Sequence, residues 1–190
     1  MTLLAMMTGL VEANVRVIVV GGMSVRFHGV NQVTDDVDVC YDTSFLNERA
    51  MVTLLRGWRA RPAGFEATRP FAMTRQELRR NDTIKLQTIH GSLDVMRVVP
   101  HLGVYRDLMT FADTVELAPG VLIPTINLES LIRSKEMGGR PKDREVVHQL
   151  RARRALLMAR DAGLDDITEG LDPRPPAEPS LMKKPRRRGR

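Results

Sequence analysis

Cysteine is nearly missing: Cys40 stands alone in 190 residues. A single thiol excludes an internal disulfide and a cysteine-built zinc cluster, and it suits a reducing cytoplasm. Aromatic side chains are scarce as well, with one Trp, two Tyr and five Phe. Scattered as they are, they offer no platform on which nucleic acid bases would stack. No apolar run approaches the roughly 20 residues that span a bilayer, so no membrane partner is expected. The apolar patch at residues 3–7 lacks a preceding basic segment and a small-residue cleavage site, so it does not read as a signal peptide. The histidines, His28, His90, His101 and His148, show neither H-x-x-x-H nor H-E-x-x-H spacing, which argues against a histidine zinc site. No internal repeat is visible.

What is present suits a single globular domain. Hydrophobic residues make up 43% of the chain, enough for a real core. The formal charge is +6, and it is unevenly placed. Residues 171–190 hold seven bases (Arg174, Lys183, Lys184, Arg186, Arg187, Arg188, Arg190) against Asp172 and Glu178, which gives +5 there and about +1 elsewhere. This proline- and charge-rich end cannot bury enough apolar surface to fold, and disorder is expected. Its basic run, Lys183 to Arg190, suits either sequence-blind contact with RNA phosphates or simple solvation. The expected organisation is a core over residues 1–125, a helical part of the same domain over 126–165, and a tail over 166–190.

Local pattern predicts an amphipathic helix over residues 1–14, feeding the β-branched run RVIVV at 16–20, as in a strand buried on both faces. Gly21-Gly22 ends that strand, and 23–28 has the make-up of a short helix. DVDVCY at 36–41 reads as a second strand. Ser44 is placed to cap a helix over 46–56 with Glu48 in its first turn. Residues 83–89 and 93–99 flank His90-Gly91-Ser92 as a β-hairpin. A further strand is expected near 114–117, followed by Pro119-Gly120 and a short apolar VLI. Asn127 is placed to cap a helix through Met137 that Gly138-Gly139 stops, and Pro141 suits the first turn of a long last helix. These elements predict an α/β (α+β) fold, a small mixed sheet flanked by helices, with a C-terminal helical segment.

The chemistry-bearing pattern is Asp36-Val37-Asp38. Two residues apart in a strand, the carboxylates share one face while Val37 and Val39 turn into apolar packing. Neighbouring carboxylates repel and lose solvation, a state relieved by a proton or by a cation between them. Oxygen ligands favour Mg²⁺, which completes its shell with water and phosphate oxygens. Asp94, a carboxylate between Leu93 and Val95, is the candidate third ligand. Gly21, Gly22 and Ser24 precede this pair at a strand-to-helix turn, where backbone N–H groups and a hydroxyl suit a phosphate. Alone, a D-x-D pair is more often a solvated strand end. Cys40, which shares the parity of Asp36 and Asp38, reads as a packing residue.

The stretch VIVVGGMSVRFHGVNQVTDDVDVCYD resembles the signature of the nucleotidyltransferase superfamily, a Gly-Gly turn followed by a spaced D-x-D. It is most similar to the branch of AbiEii/AbiGii-type toxins and related minimal nucleotidyltransferases, whose second signature LIRSKEMGGRPKDREVVHQL resembles. The resemblance spans roughly residues 15–150. It implies that Asp36, Asp38 and Asp94 hold one or two Mg²⁺ ions and carry catalysis. It also implies that Gly21, Gly22, Ser24, Lys135, Lys142 and Asp143 bind the NTP. One position departs from the pattern: Val146 stands where an acidic residue usually follows the lysine-aspartate pair.

The implied activity is transfer of NMP from an NTP to an acceptor hydroxyl, with release of pyrophosphate. RNA or tRNA is one acceptor, a toxin-like role and a cognate antitoxin are implied partners in biology, and a small-molecule acceptor belongs to the same chemistry. The alternative is a catalytically idle NTP- or RNA-binding module with the same fold, to which Val146 lends support.

Overall fold

The computed structural model describes residues 3–66, 69–141 and 143–163. The described residues up to Leu156 form one compact unit. A second unit begins at Leu157, and its described part is the end of the last helix and the turn after it, residues 157–163. The tail expected over 166–190 lies outside the described residues, as does Lys142.

The chain runs α1 (Leu3–Glu12), β1 (Val17–Val20), α2 (Gly21–Phe27), β2 (Asp36–Tyr41), α3 (Phe45–Gly57), β3 (Arg61–Pro62), α4 (Arg75–Arg79), β4 (Thr83–Thr88) and β5 (Gly91–Met96). It continues through β6 (Val98–Val99), β7 (Gly103–Val104), α5 (Tyr105–Met109), β8 (Ala112–Ala118), β9 (Val121–Ile126), α6 (Leu128–Gly138) and α7 (Asp143–Asp161). A seven-stranded mixed sheet has the order β3-β4-β5-β2-β1-β9-β8, and β6 and β7 pair as a separate ribbon. Strand β2 is antiparallel to β1 and parallel to β5, while β1 is parallel to β9.

Strand alternation divides the core into two clusters. Val17, Val19, Val37, Val39, Leu93 and Val95 meet Met6, Met7 and Leu10 of α1 and Met51, Val52 and Leu55 of α3. Ile18, Val20 and Cys40 point oppositely and pack with Val25 of α2, Leu108 of α5, Leu131 and Ile132 of α6 and Leu150 of α7. The four residues of β1 are all buried, as the β-branched run requires of a strand covered on both faces. Burying each such side chain contributes about 1.5–3 kcal/mol, so the sheet centre is the firmest support a site can have here.

Several expectations hold with small shifts. The hairpin is β4–β5 with Ile89-His90 between the strands, and Thr88 pairs with Gly91. Asn127 caps α6 by accepting from the Ser130 N–H at 2.9 Å, and Gly139 ends it at φ +60°. Others are corrected. Ser44 sits at the N-terminus of α3 without a side-chain cap bond. Its hydroxyl instead donates to Asp42 and accepts from Arg16. Glu48 does lie in the first turn of α3, where it is fully buried and held by Arg75 and Arg79 at 2.8 and 2.6 Å. Helix α2 begins at Gly21 and not after it. The short VLI expected after residue 120 is the start of a six-residue strand, β9, next to β1 inside the sheet. No helix among the described residues is long and apolar enough to cross a membrane.

Candidate active site

The register of four strands builds one row. Val20 lies opposite Asp38, Asp38 opposite Asp94, and Asp94 opposite Lys85. Because successive side chains alternate, Asp36, Asp38, Asp94, Lys85 and Thr83 share the face opposite Val37, Val39, Leu93, Ile84 and Leu86. The sheet thus buries one side of each strand in the α1–α3 layer and presents acids on the other.

Asp36, Asp38 and Asp94 converge: one carboxylate oxygen from each lies within 4.8 Å of the other two. Thr34 donates to Asp36 Oδ1 at 2.8 Å and Lys85 Nζ to Asp94 Oδ2 at 2.7 Å. Asp38 accepts from the Gly22 N–H, yet its carboxyl is pushed up from 3.8 to about 6. Burial is the chief cause, followed by the charges of Asp36 and Asp94, with Lys85 opposing. A carboxyl forced toward neutrality by burial and then by neighbouring charge is what a divalent cation relieves. Three hard oxygen donors with no sulfur or imidazole fit Mg²⁺.

Gly21 is required beside this cluster. It adopts φ +62°, and a Cβ there would overlap the Asp38 carboxylate. At Gly22 a Cβ would stand 2.5 Å from Thr34 Oγ1. Glycine at both positions lets β1 pass straight into α2 against the carboxylates.

The cluster lies in a cleft of about 570 Å³ that also reaches Gly21, Gly22, Gln32, Lys135, Arg140 and Asp143. A narrower recess of about 170 Å³ adjoins it, with Val20, Met96, Val99 and Leu131 as apolar walls and Ser134 and His101 among its polar groups. Lys135 and Asp143, on α6 and α7, form an ion pair at 2.9 Å with side chains only 11% and 9% exposed. The turn that joins the helices brings this pair to the cleft, and Arg140 lines both spaces.

Of the nine residues expected at the site, Asp36, Asp38, Asp94, Gly21, Gly22, Lys135 and Asp143 meet in this cleft. Lys142 lies outside the described residues. Ser24 is placed elsewhere: it is fully buried, donates to the Ile126 carbonyl at 3.4 Å and accepts from Thr125 Oγ1 at 2.9 Å. It ties α2 to β9 and does not face a ligand. Cys40 is buried in the second cluster, and its thiol is pushed up to about 12, first by burial. Val146 packs against the same cluster. Lys85, Arg140 and the apolar recess were not anticipated. Lys85 alone had a readable signal, since a hairpin pairing Thr88 with Gly91 sets Lys85 against Asp94.

No protein-family model matches this sequence, and no curated protein matches it. Among solved structures, the chain is similar to the antibiotic-resistance factor ANT(2″)-Ia in solution. That match has 12% identity and a TM-score of 0.48, covering 86% of this chain and 94% of that one. A Thermotoga maritima protein provisionally classed as a nucleotidyltransferase is 18% identical at a TM-score of 0.46, over 77% of this chain and 88% of that one. A crystal structure of ANT(2″)-Ia with adenylyl-2″-tobramycin gives 12% identity and a TM-score of 0.45, over 80% and 92%.

Proposed function

We propose that this chain has the nucleotidyltransferase fold and moves NMP from an NTP to an acceptor hydroxyl, releasing pyrophosphate, with an RNA acceptor and a toxin-like role of the AbiEii kind. The observation that carries this reading is the convergence of Asp36, Asp38 and Asp94 beside a glycine turn that admits nothing larger. Bound by those three residues, Mg²⁺ would neutralise charge on the triphosphate and its leaving group. The chain's own groups divide the rest. Gly21 and Gly22 keep the backbone close to the carboxylates, and the apolar recess beside Asp38 suits a base. Asp94, paired with Lys85 while the site holds no cation, is the carboxylate that would take the proton of an acceptor hydroxyl. Lys135, Lys142 and Arg140 would supply positive charge to phosphate oxygens, with Asp143 orienting Lys135.

The idle-module alternative has less support. Val146 packs against the second cluster, which accounts for an apolar residue there, and an idle site has no need of three clustered carboxylates. The test is incubation of the full chain with Mg²⁺, each α-labelled NTP in turn and total cellular RNA, beside Asp36→Ala/Asp38→Ala. Label entering RNA only with the intact protein is the expected result. Binding of Mg-NTP without label in RNA would redirect the search to small-molecule or protein acceptors. No binding at all would overturn the reading in favour of the idle module.

A further inference from the structure

Lys85 belongs to neither signature, yet it is paired directly with one of the three carboxylates, Asp94. Strand β4 alternates, so Ile84 and Leu86 enter the core while Lys85 rises on the acidic face. Its ammonium lies 2.7 Å from Asp94 Oδ2, with a side chain 69% exposed against 9% for Asp94. One member of the pair is fixed in the sheet, and the other hangs on a solvated four-carbon stem. Lys135 is the opposite case: buried and locked to Asp143.

This asymmetry has a chemical consequence. A divalent cation drawn to Asp36, Asp38 and Asp94 must share Asp94 with an ammonium that it repels. Asp94 stays where the sheet holds it, and only the exposed lysine stem has to move for the pair to part. Displacement therefore needs no rearrangement of the sheet. Once displaced, the ammonium remains over a cleft lined by Thr83, Asp94 and Arg140, where a polyphosphate would lie.

We infer that Lys85 is the resident counter-ion of the carboxylate cluster, held on Asp94 until a divalent cation takes its place and then transferred to the phosphates of the bound ligand. The inference rests on the metal-site reading above. Lys85 thereby weakens binding of a bare ion and strengthens binding of polyphosphate once the ion is in. It makes the two ligands enter together.

The experiment uses the full chain stripped of metal with EDTA, and compares wild type, Lys85→Met and Lys85→Arg by isothermal titration. With Mn²⁺ alone, Lys85→Met binds about fivefold more tightly than wild type, the gain expected from removing one exposed competitor. Lys85→Arg stays within about twofold, since it keeps the competing charge. With saturating Mn²⁺, inorganic tripolyphosphate binds Lys85→Met about tenfold more weakly than wild type, and Lys85→Arg restores it. Because the side chain is exposed, circular dichroism should be unchanged, and a merely structural role would move neither affinity in this pattern. Unchanged or weaker Mn²⁺ binding by Lys85→Met overturns the inference, as does unchanged tripolyphosphate binding. Failure of all three proteins to bind Mn²⁺ overturns the metal-site reading with it. The expected affinity pattern without nucleotidyl transfer to any acceptor would sink only the proposed activity.

Discussion

Replacing Asp38 with Asn should stabilise the metal-free protein while abolishing the proposed nucleotidyl transfer. The carboxyl is raised from 3.8 to about 6, mainly by burial and then by Asp36 and Asp94. Each factor of ten in proton affinity corresponds to about 1.4 kcal/mol, so ionised Asp38 costs the metal-free fold about 3 kcal/mol at neutral pH. The sign follows from the direction. Folding favours the neutral form, so the contribution is fully present below pH 3.8 and is lost as pH rises through about 6. Asparagine matches the size of aspartate, keeps an oxygen for the Gly22 N–H, turns its amide toward two acceptors and does not ionise. In EDTA at pH 8, Asp38→Asn should gain about 2–3 kcal/mol in urea unfolding, or about 5–10 °C in Tm. The advantage should shrink as pH falls from 7 to 4. Added Mg²⁺ should raise the stability of wild type and leave Asp38→Asn unmoved. A variant equal to or less stable than wild type in EDTA at pH 8 would refute the claim that ionised Asp38 is held against burial and the repulsion of its neighbours.

Gly21→Ala should cost at least about 2 kcal/mol from its left-handed backbone and the overlap with Asp38, and calorimetry with a Mg²⁺ titration would show stability and ion affinity falling together. Asn127→Ala removes the cap of α6, so chemical denaturation should show a loss of about 1 kcal/mol, and nucleotide affinity should weaken because α6 carries Lys135. Glu48→Gln, on the opposite face of the sheet, should lower stability by about 2 kcal/mol through its two arginine bonds and leave Mn²⁺ affinity unchanged in titration. Cys40 should react with a thiol reagent only at the rate of unfolding, since it is buried with its thiol pushed up to about 12.

The centre of the sheet was legible because its signals are local. RVIVV and DVDVCY carry the burial pattern of β1 and the two-faced pattern of β2 in their own residues, and strand parity alone puts Asp36 and Asp38 on one side. Asp94 was legible as a charge that interrupts an apolar strand. Ser24 was misread because its partners, Thr125 and the Ile126 carbonyl, lie about a hundred residues away in β9. A hydroxyl after two glycines looks like a ligand donor until a distant strand claims it. Strand β9 was hidden for a related reason. Pro124 argues against an interior strand, and one is accommodated here where β1 meets β9 in register only at Val19 and Thr125. Glu48 was legible as first-turn charge but not as a buried anchor, since its arginines come from α4, an element too short to announce itself.

The row Val20–Asp38–Asp94–Lys85 crosses the strands at right angles to the chain. Four segments, separated by loops and helices, deliver one position each, and a slip of a single residue in any of them would turn its contribution toward the wrong layer. A ligand on this row therefore acts as a cross-stitch. It fastens strands to one another on the face where few side chains join them, adding to the hydrogen bonds and core packing that set the register. Protection from amide exchange on ligand binding should spread sideways, from β1 through β2 and β5 to β4, and fade along each strand within a few residues.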